Sequence, residues 1–153
     1  DRTLVFRSLS KSFSLAGLRL GYVVGPPDLI RAMATVKDSY NVDRLAATLG
    51  LAALHDLDWM RQNARRICAT RERVGARLTQ MGCQVWPSQT NFLWFRPPER
   101  PASEVMRELR MRRILVRHFA GRRTGEFLRV TIGTETEMEA FLDAMSEIVS
   151  RQG

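Results

Sequence analysis

The stretch "RSLSKSFSLAGLRLG" (residues 7–21) decides how the rest of this chain is interpreted. It joins two apolar runs, and it combines serines and glycines with one lysine, Lys11, and with arginines at 7 and 19. Lysine is scarce in the protein: of 24 basic residues only Lys11 and Lys37 are lysines, which leaves 24 − 2 = 22 arginines. The lysine at this serine-rich bend therefore raises the question of what it does that arginine would not.

Composition sets the class of protein. At 153 residues, with 44% apolar and 26% charged side chains, the chain is typical of one globular domain. No stretch approaches the roughly 20 apolar residues of a membrane span, and the first residues do not resemble a secretory signal. Cys68 and Cys83 lack the spacing of metal ligands, so we predict reduced, partly buried thiols in a cytoplasmic protein, with a bridge between them as the minor alternative.

The net charge of +8 favours phosphates, polyanions or acidic partners. Most arginines are spread along one predicted helix, which indicates solvated helix faces. The two clusters, at 110–113 and 121–123, lack the interleaved aromatic residues of single-strand binders. Nucleic acid is therefore an improbable partner, and a basic nucleic-acid-binding module remains as an alternative function.

The hydrophobic pattern predicts two parts. Two nearly continuous apolar runs, residues 3–8 and 19–25, are typical of strands covered on both faces. A helix is predicted to begin at Pro27. A second helix, over 43–56, is apolar nearly all round, which indicates that it is buried or lies at an interface. This part, residues 1–56, resembles a piece of an α/β layer.

The second part, residues 57–153, is predicted to be a small α+β domain. A long helix from Asp58 ends at Gly82, and the chain closes with a helix that Thr134 and Glu137 begin as a capping box. The core stripe of that last helix is Met138, Phe141, Leu142, Met145, Ile148 and Val149. Between these helices we predict strands at "CQVWP", "TNFLWFR", "ILVR" (114–117) and "EFLRVTIG" (126–133), and a helix at "PASEVMRELRMR".

The chemistry of the opening stretch centres on Lys11. Ser8, Ser10 and Arg19 combine hydroxyls with a planar cation, which suits a phosphate clamp, and Gly17 allows close approach of the backbone. Spacing alone leaves three interpretations of Lys11 open: a second phosphate cation, a Schiff-base nucleophile, or an exposed loop lysine.

The motif resembles the pyridoxal-phosphate lysine motif of class I/II, fold-type I aminotransferases: serines at minus three and minus one, the lysine, then Ala-Gly-Leu-Arg with the arginine at plus eight. "VKDSYNVDRLAATLGLAAL" (36–54), "TNFLWFR", "ILVRHF" and "FLRVTIGT" are similar, in the same order, to the histidinol-phosphate aminotransferases of that family. The resemblance runs over essentially all 153 residues but covers only the last part of a full enzyme.

The resemblance implies roles near the cofactor, pyridoxal 5'-phosphate. Lys11 would form the Schiff base and shuttle a proton, while Ser8, Ser10 and Arg19 would hold the cofactor phosphate. Tyr40 and Asn41 would lie near the cofactor or at a homodimer contact.

Substrate contacts follow from both pattern and resemblance. Strand alternation places Leu128 and Val130 on the helix-facing side and Arg129 on the opposite side, and the family's arginine at this motif holds the substrate α-carboxylate. Arg117 resembles a second substrate-side arginine, for a phosphorylated amino compound that exchanges its amino group with 2-oxoglutarate to give glutamate. Asn91 either lines the site or ties down a loop.

The family also uses a carboxylate on the pyridine nitrogen, a stacked aromatic ring and a glycine turn for the phosphate, and no residue of this chain matches them. We therefore expect a piece of a longer enzyme that is inactive alone, with residues 1–50 poorly ordered or paired with another chain. Threonine-phosphate decarboxylase, another class I/II aminotransferase and a non-catalytic relic remain alternative interpretations.

Overall fold

The computed structural model describes residues 2–150 and divides the chain into two compact units, one up to Ala64 and one from Arg65. The predicted domain boundary between residues 56 and 57 falls at the junction of the second and third helices, and its assignment to domains of a larger enzyme stays a prediction. The first unit contains an antiparallel hairpin, a short 3-10 helix and two helices. Its elements are β1 (Val5–Ser8), the 3-10 helix (Ala16–Leu18), β2 (Gly21–Val24), α1 (Pro27–Val36) and α2 (Arg44–His55).

The long helix α3 (Leu57–Gln80) runs past the division at Ala64. As predicted, Gly82 terminates it two residues later, with a φ of +82°, the left-handed conformation that glycine adopts freely. The second unit then forms an antiparallel four-stranded sheet in the order β3-β4-β6-β5, with two further helices. Its elements are β3 (Gln84–Val85), β4 (Phe92–Arg96), α4 (Ala102–Met111), β5 (Arg117–His118), β6 (Leu128–Thr131) and α5 (Glu135–Ser150).

The hydrophobic core lies in the second unit, where one face of the sheet packs against helices. The predicted stripe of α5 is confirmed: five of its six residues are buried and Val149 packs against the core as a partly buried residue. The capping box is also confirmed, because the backbone N–H of Thr134 donates to Glu137 Oε2 at 2.7 Å and the Glu137 N–H donates to Thr134 Oγ1 at 3.3 Å. The fully buried large side chains of this core are Phe95, Phe141, Leu78, Leu109, Leu128, Leu142, Met145, Ile148, Val74 and Val105.

Two expectations about the elements are wrong, and a third is tested only in part. The strand expected over 114–117 is instead the two-residue β5, which begins at Arg117, because Arg113 has a left-handed φ of +63° and Ile114 still donates its N–H to Leu109 O at the end of α4. The hairpin strands were expected to be covered on both faces, yet every residue of β1 is exposed. Helix α2, expected to be buried or at an interface, buries only Ala46 and Gly50 within the described chain, and its place at an interface stays a prediction.

Candidate active site

The lysine lies in a closed loop at the end of the β1–β2 hairpin. Ser8 and Gly21 are partners in the antiparallel ladder, and the Leu9 N–H donates to Leu20 O at 3.0 Å one step further along. The residues that flank this last pair are Ser10 and Arg19. Ser10, Lys11 and Arg19 therefore lie at the same end of the hairpin, although the lysine and the arginine are eight positions apart in sequence.

Local hydrogen bonds fix the conformation of this loop. Ser14 donates its N–H to Lys11 O at 3.2 Å, and Leu15 donates to Leu9 O at 3.3 Å. Arg19 adopts a left-handed φ of +53°, and its Nη1 donates to Ala16 O at 3.0 Å. A left-handed backbone is uncommon for arginine, and the hydrogen bond to Ala16 O holds the Arg19 guanidinium against the loop.

Small residues seat the base of the loop on α2. Leu9 is 2% exposed and lies against Gly50, where an added Cβ would come within 3.9 Å of the Leu9 side chain and would overlap that of Leu20. Ala46, one helical turn earlier, is also buried. The loop that carries Lys11 is thus anchored by apolar contacts on its protein side.

The polar groups of this loop fit a phosphate-bearing aldehyde. The Ser10 N–H donates to Ser8 Oγ at 3.1 Å, which uses that oxygen as an acceptor and leaves its O–H for another acceptor. Arg19 has guanidinium N–H groups beyond the one bound to Ala16 O. The Lys11 side chain is exposed, and within residues 2–150 its Nζ has no hydrogen-bond or ion-pair partner, so it is sterically open to an aldehyde.

The glycine that matters in this motif differs from the expected one. A Cβ at Gly17 would meet nothing within 4 Å, so no part of the described chain approaches it closely. A Cβ at Gly21 would lie 2.6 Å from the Arg7 carbonyl oxygen. Only glycine, which has no Cβ, allows the two strands to approach this closely. Sequence reasoning missed Gly21 because the close approach comes from the pairing of β1 with β2.

Tyr40 and Asn41 lie in the exposed connection between α1 and α2. Tyr40 is 94% exposed, and its N–H donates to Asp38 Oδ1 at 3.2 Å. Asn41 Oδ1 accepts from Lys37 Nζ at 3.1 Å. The first unit therefore does not bury either side chain, and their expected place near a cofactor or a dimer contact stays a prediction.

The substrate-side candidates lie on the second unit. Arg117 of the edge strand β5 is the direct partner of Arg129 on β6, and Trp94 of β4 is the partner of Arg129 on its other side. Leu128 and Val130 are buried while Arg129 is half-buried on the opposite face, as strand alternation predicts. The sheet thus brings Arg117 and Arg129 together on the face away from the core.

Aromatic rings surround these two arginines. The Arg129 guanidinium carbon lies 5.2 Å from the Phe92 ring centroid and 5.5 Å from that of Phe119, and the Arg117 guanidinium carbon lies 5.2 Å from Phe119. Arg129 Nε is buried and has no hydrogen-bond partner among the described residues. Burying a charged donor without an acceptor costs free energy. An anion that accepts a hydrogen bond from Arg129 Nε would recover that free energy.

Asn91 ties down the start of β4, since its carbonyl accepts the Ile132 N–H at 2.9 Å. The preceding residue is held by Arg71, whose Nη1 donates to Thr90 O at 2.7 Å. Arg71 is only 9% exposed and was not singled out from the sequence, because one arginine among the many of α3 carries no distinguishing pattern.

The described residues offer neither a membrane span nor a metal site. In the described part of the chain, no helix has both the length and the apolar character that a bilayer span requires. Residues 2–150 also hold no group of three or more His, Cys, Asp or Glu side chains arranged for a metal ion. Cys68 is exposed, Cys83 is buried, and both are free thiols.

Comparison with known proteins gives a consistent result along the whole chain. The family model described as aminotransferase class I and II matches residues 1–145. The histidinol-phosphate aminotransferase of Aromatoleum aromaticum is 46% identical over 149 residues, which are 95% of this chain and 42% of that protein. The enzyme of the same name from Geotalea uraniireducens is 43% identical over 148 residues, with 97% and 43% covered. The chain thus spans about two-fifths of the length of these curated relatives.

Solved structures agree on the fold, which is that of fold-type I aminotransferases. A protein described as an aminotransferase from Burkholderia pseudomallei has a TM-score of 0.87 and 34% identity over 95% of this chain and 45% of its own. The histidinol-phosphate aminotransferase of Sinorhizobium meliloti, solved with pyridoxal-5'-phosphate, has a TM-score of 0.85 and 24% identity, and covers 98% of this chain and 42% of its own.

Proposed function

This chain belongs to the class I and II aminotransferase family, and from that premise we propose that it contributes the lysine loop and the substrate-binding arginines of a histidinol-phosphate aminotransferase. In this proposal residues 1–56 are the end of the large cofactor-binding domain, and residues 57–153 are the small C-terminal domain. The complete enzyme transfers the amino group of histidinol phosphate to 2-oxoglutarate, a step of histidine biosynthesis.

The lysine loop binds the cofactor. Lys11 Nζ is the amine to which the aldehyde becomes attached, and Ser8, Ser10 and Arg19 donate hydrogen bonds to its phosphate. Pyridoxal 5'-phosphate, when bound, supplies an electron sink for negative charge at the substrate Cα. With its amine released by the incoming substrate amine, Lys11 Nζ would accept the proton from the substrate Cα and later return it.

The two arginines of the sheet bind and orient the substrates. Arg129 pairs with the α-carboxylate of glutamate and 2-oxoglutarate, and Arg117 contacts the anionic end of the phosphorylated amino compound. Asn91 lies at the start of β4 and supports this face. These roles are assigned from the positions of the residues in the family's motifs. They are supported by the pairing of Arg117 with Arg129 across β5 and β6.

The observation that carries the proposal is the closed loop that brings Lys11, Ser10 and Arg19 to one end of the hairpin. It is tested by incubating the purified chain with pyridoxal 5'-phosphate, reducing with borohydride and mapping the label by mass spectrometry. We expect the label on Lys11. Its appearance on Lys37 to the same extent would contradict the assignment, since Lys37 is the only other lysine and serves as the internal control.

The substrate is tested on the complete protein. Histidinol phosphate with 2-oxoglutarate should yield glutamate, and threonine phosphate should release no carbon dioxide. Decarboxylation of threonine phosphate would instead support the alternative enzyme. The 153-residue chain alone should form no glutamate, because it offers no residue for the pyridine nitrogen or the stacked ring.

Assembly and location complete the proposal. We expect the complete enzyme to be a homodimer, supported by the exposed apolar side chains of the first unit, such as Tyr40, Val42 and Leu45. The two free thiols fit a reducing, cytoplasmic compartment. Sedimentation of the complete enzyme as a monomer at micromolar concentration would overturn the dimer.

A further inference from the structure

We propose that Phe119 is a positioning residue that holds the guanidinium groups of Arg117 and Arg129 side by side for anionic substrates. The inference deepens the proposed function and rests on it for the identity of the substrates. No motif assigns a role to Phe119, which lies beside an electrostatic conflict within the sheet.

The conflict lies between β5 and β6. Arg117 and Arg129 are direct partners across the two strands, and like charges placed directly opposite each other destabilise a sheet. Among residues 2–150, no aspartate or glutamate forms an ion pair with either guanidinium. The two arginines are therefore cross-strand partners that no carboxylate of the described residues neutralises.

The Phe119 ring is the group that both guanidiniums share. Arg117 lies 5.2 Å and Arg129 5.5 Å from its centroid, within the range in which the negative face of an aromatic ring attracts a cation. Phe92 adds a second ring for Arg129, at 5.2 Å. The shared ring thus offers a cation–π contact to both guanidiniums, which offsets part of the repulsion between them.

The backbone of Phe119 is held in turn by the loop that follows β5. Thr124 Oγ1 donates to Phe119 O at 2.8 Å, and His118 Nε2 is 2.8 Å from Gly125 O. Thr124 and Gly125 both donate their N–H groups to Gly121 O, at 3.1 and 2.8 Å. The ring is therefore presented by an ordered turn rather than by a free loop end.

The same face offers a matched control. Phe127 and Phe119 are both half-buried, and both contact Trp94, at centroid distances of 5.4 and 5.9 Å. Phe127 packs on Trp86 and Trp94, and neither arginine lies over its ring within the described chain. Phe119→Leu and Phe127→Leu thus remove equal side-chain volume, but only the first removes a ring from the arginines.

The first test measures the arginine Nε–Hε resonances of the purified 153-residue chain. Ring currents should shift the Hε signal of Arg129 upfield from those of exposed arginines in the unaltered protein. Phe119→Leu should move the Arg117 and Arg129 signals downfield, Phe119→Tyr should preserve them, and Phe127→Leu should leave them in place. Unshifted signals in the unaltered chain, or equal effects of the two leucine variants, would overturn the proposal.

The second test uses the complete aminotransferase. Phe119→Leu should raise KM for 2-oxoglutarate by roughly 3- to 30-fold, the range expected from losing a cation–π contact, with a much smaller change in kcat because substrate and transition state lose the same contact. Phe119→Tyr should restore KM, and Phe127→Leu should not change it. A loss of kcat alone would overturn the positioning role. If the unaltered enzyme shows no transamination, the proposed function fails, while the Hε signals still decide whether Phe119 holds the arginines.

Discussion

At the scale of single residues, the rarity of lysine acquires a chemical meaning. A guanidinium is always protonated and cannot carry a proton to and from carbon or attach an aldehyde as a primary amine does. Elsewhere in the chain every basic Lys or Arg position but one, Lys37, is an arginine. Lys11 therefore stands at the one position of the lysine loop where arginine could not replace it.

The substitution Lys11→Arg separates charge from reactivity. It keeps the cation in an exposed position, so we expect the thermal stability of the chain to stay within about 0.5 kcal/mol of the unaltered protein. Labelling by pyridoxal 5'-phosphate and borohydride should be lost at this position. Lys37→Arg is the control and should leave the label intact; a label that survives Lys11→Arg would contradict the assignment of Lys11.

The two cysteines should differ sharply in reactivity. Cys68 is exposed, whereas burial raises the pKa of the Cys83 thiol from 9.0 to about 12. A thiol-specific reagent at pH 8 should label one cysteine in the folded protein and two in denaturant. The variant Cys68→Ser should show no labelling until it unfolds, and rapid labelling of that variant in the native state would contradict the burial of Cys83.

The same thiol gives a pH dependence of stability. Below pH 9 Cys83 is protonated in both the folded and the unfolded state and contributes nothing. Between pH 9 and about 12 only the unfolded chain loses the proton, which stabilises the unfolded state, so the free energy of unfolding should fall as pH rises through this window. Cys83→Ala should flatten this fall in urea titrations, and an unchanged slope would contradict the argument.

At the scale of elements, the last helix is fixed by its first turn. Hydrogen bonds from the Thr134 backbone and hydroxyl lower the pKa of Glu137, which favours its charged form at the helix N-terminus. Thr134→Ala should lower the free energy of unfolding by about 1 kcal/mol. Because the pKa is lowered, the contribution of Glu137 is present at neutral pH and lost as pH falls through the folded pKa, so Glu137→Gln should show weaker acid destabilisation than the unaltered chain.

The hairpin that presents the lysine loop depends on one glycine. Gly21→Ala places a Cβ 2.6 Å from the Arg7 carbonyl oxygen and must displace β1 from β2. Gly17→Ala, in the same loop, meets nothing within 4 Å and is the matched control. Hydrogen exchange at the Leu9 amide, which bonds to Leu20 O, should speed up in the first variant only; equal exchange in both would refute the role of Gly21.

Some features of these elements could be predicted from the sequence and others could not. Local signals were sufficient for the capping box at Thr134, the stripe of α5 and the face on which Arg129 lies, since each depends on neighbours within a few residues. Whether β1 and α2 are exposed depends on which other segments pack against them. The hydrophobic periodicity of a segment does not identify those segments. Phe119 escaped notice because its significance comes from the pairing of β5 with β6.

At the scale of the whole molecule, the two units differ in how much apolar surface they bury. In the second, helices α4 and α5 and the sheet share one core of fully buried side chains, whereas the hydrophobic residues buried in the first are Leu9 and Ala46. Val5, Phe6, Tyr22 and Val24 of the hairpin are exposed. Since burial of apolar surface is the main stabilising term of folding, stability is expected to be unequal along the chain.

This inequality predicts a gradient of hydrogen exchange in the 153-residue chain. Amides of β4, β6 and α5 should exchange only on global unfolding, and those of β1 and β2 should exchange by local opening at much lower free energy. Exposed strand edges also recruit partners, so protection of β1 should rise with protein concentration if copies associate, while that of β6 should not. A monomer whose β1 amides are as protected as those of β6 would contradict this account. Such protection would require the hairpin to make stabilising contacts, and within residues 2–150 its exposed side chains make none that could supply it.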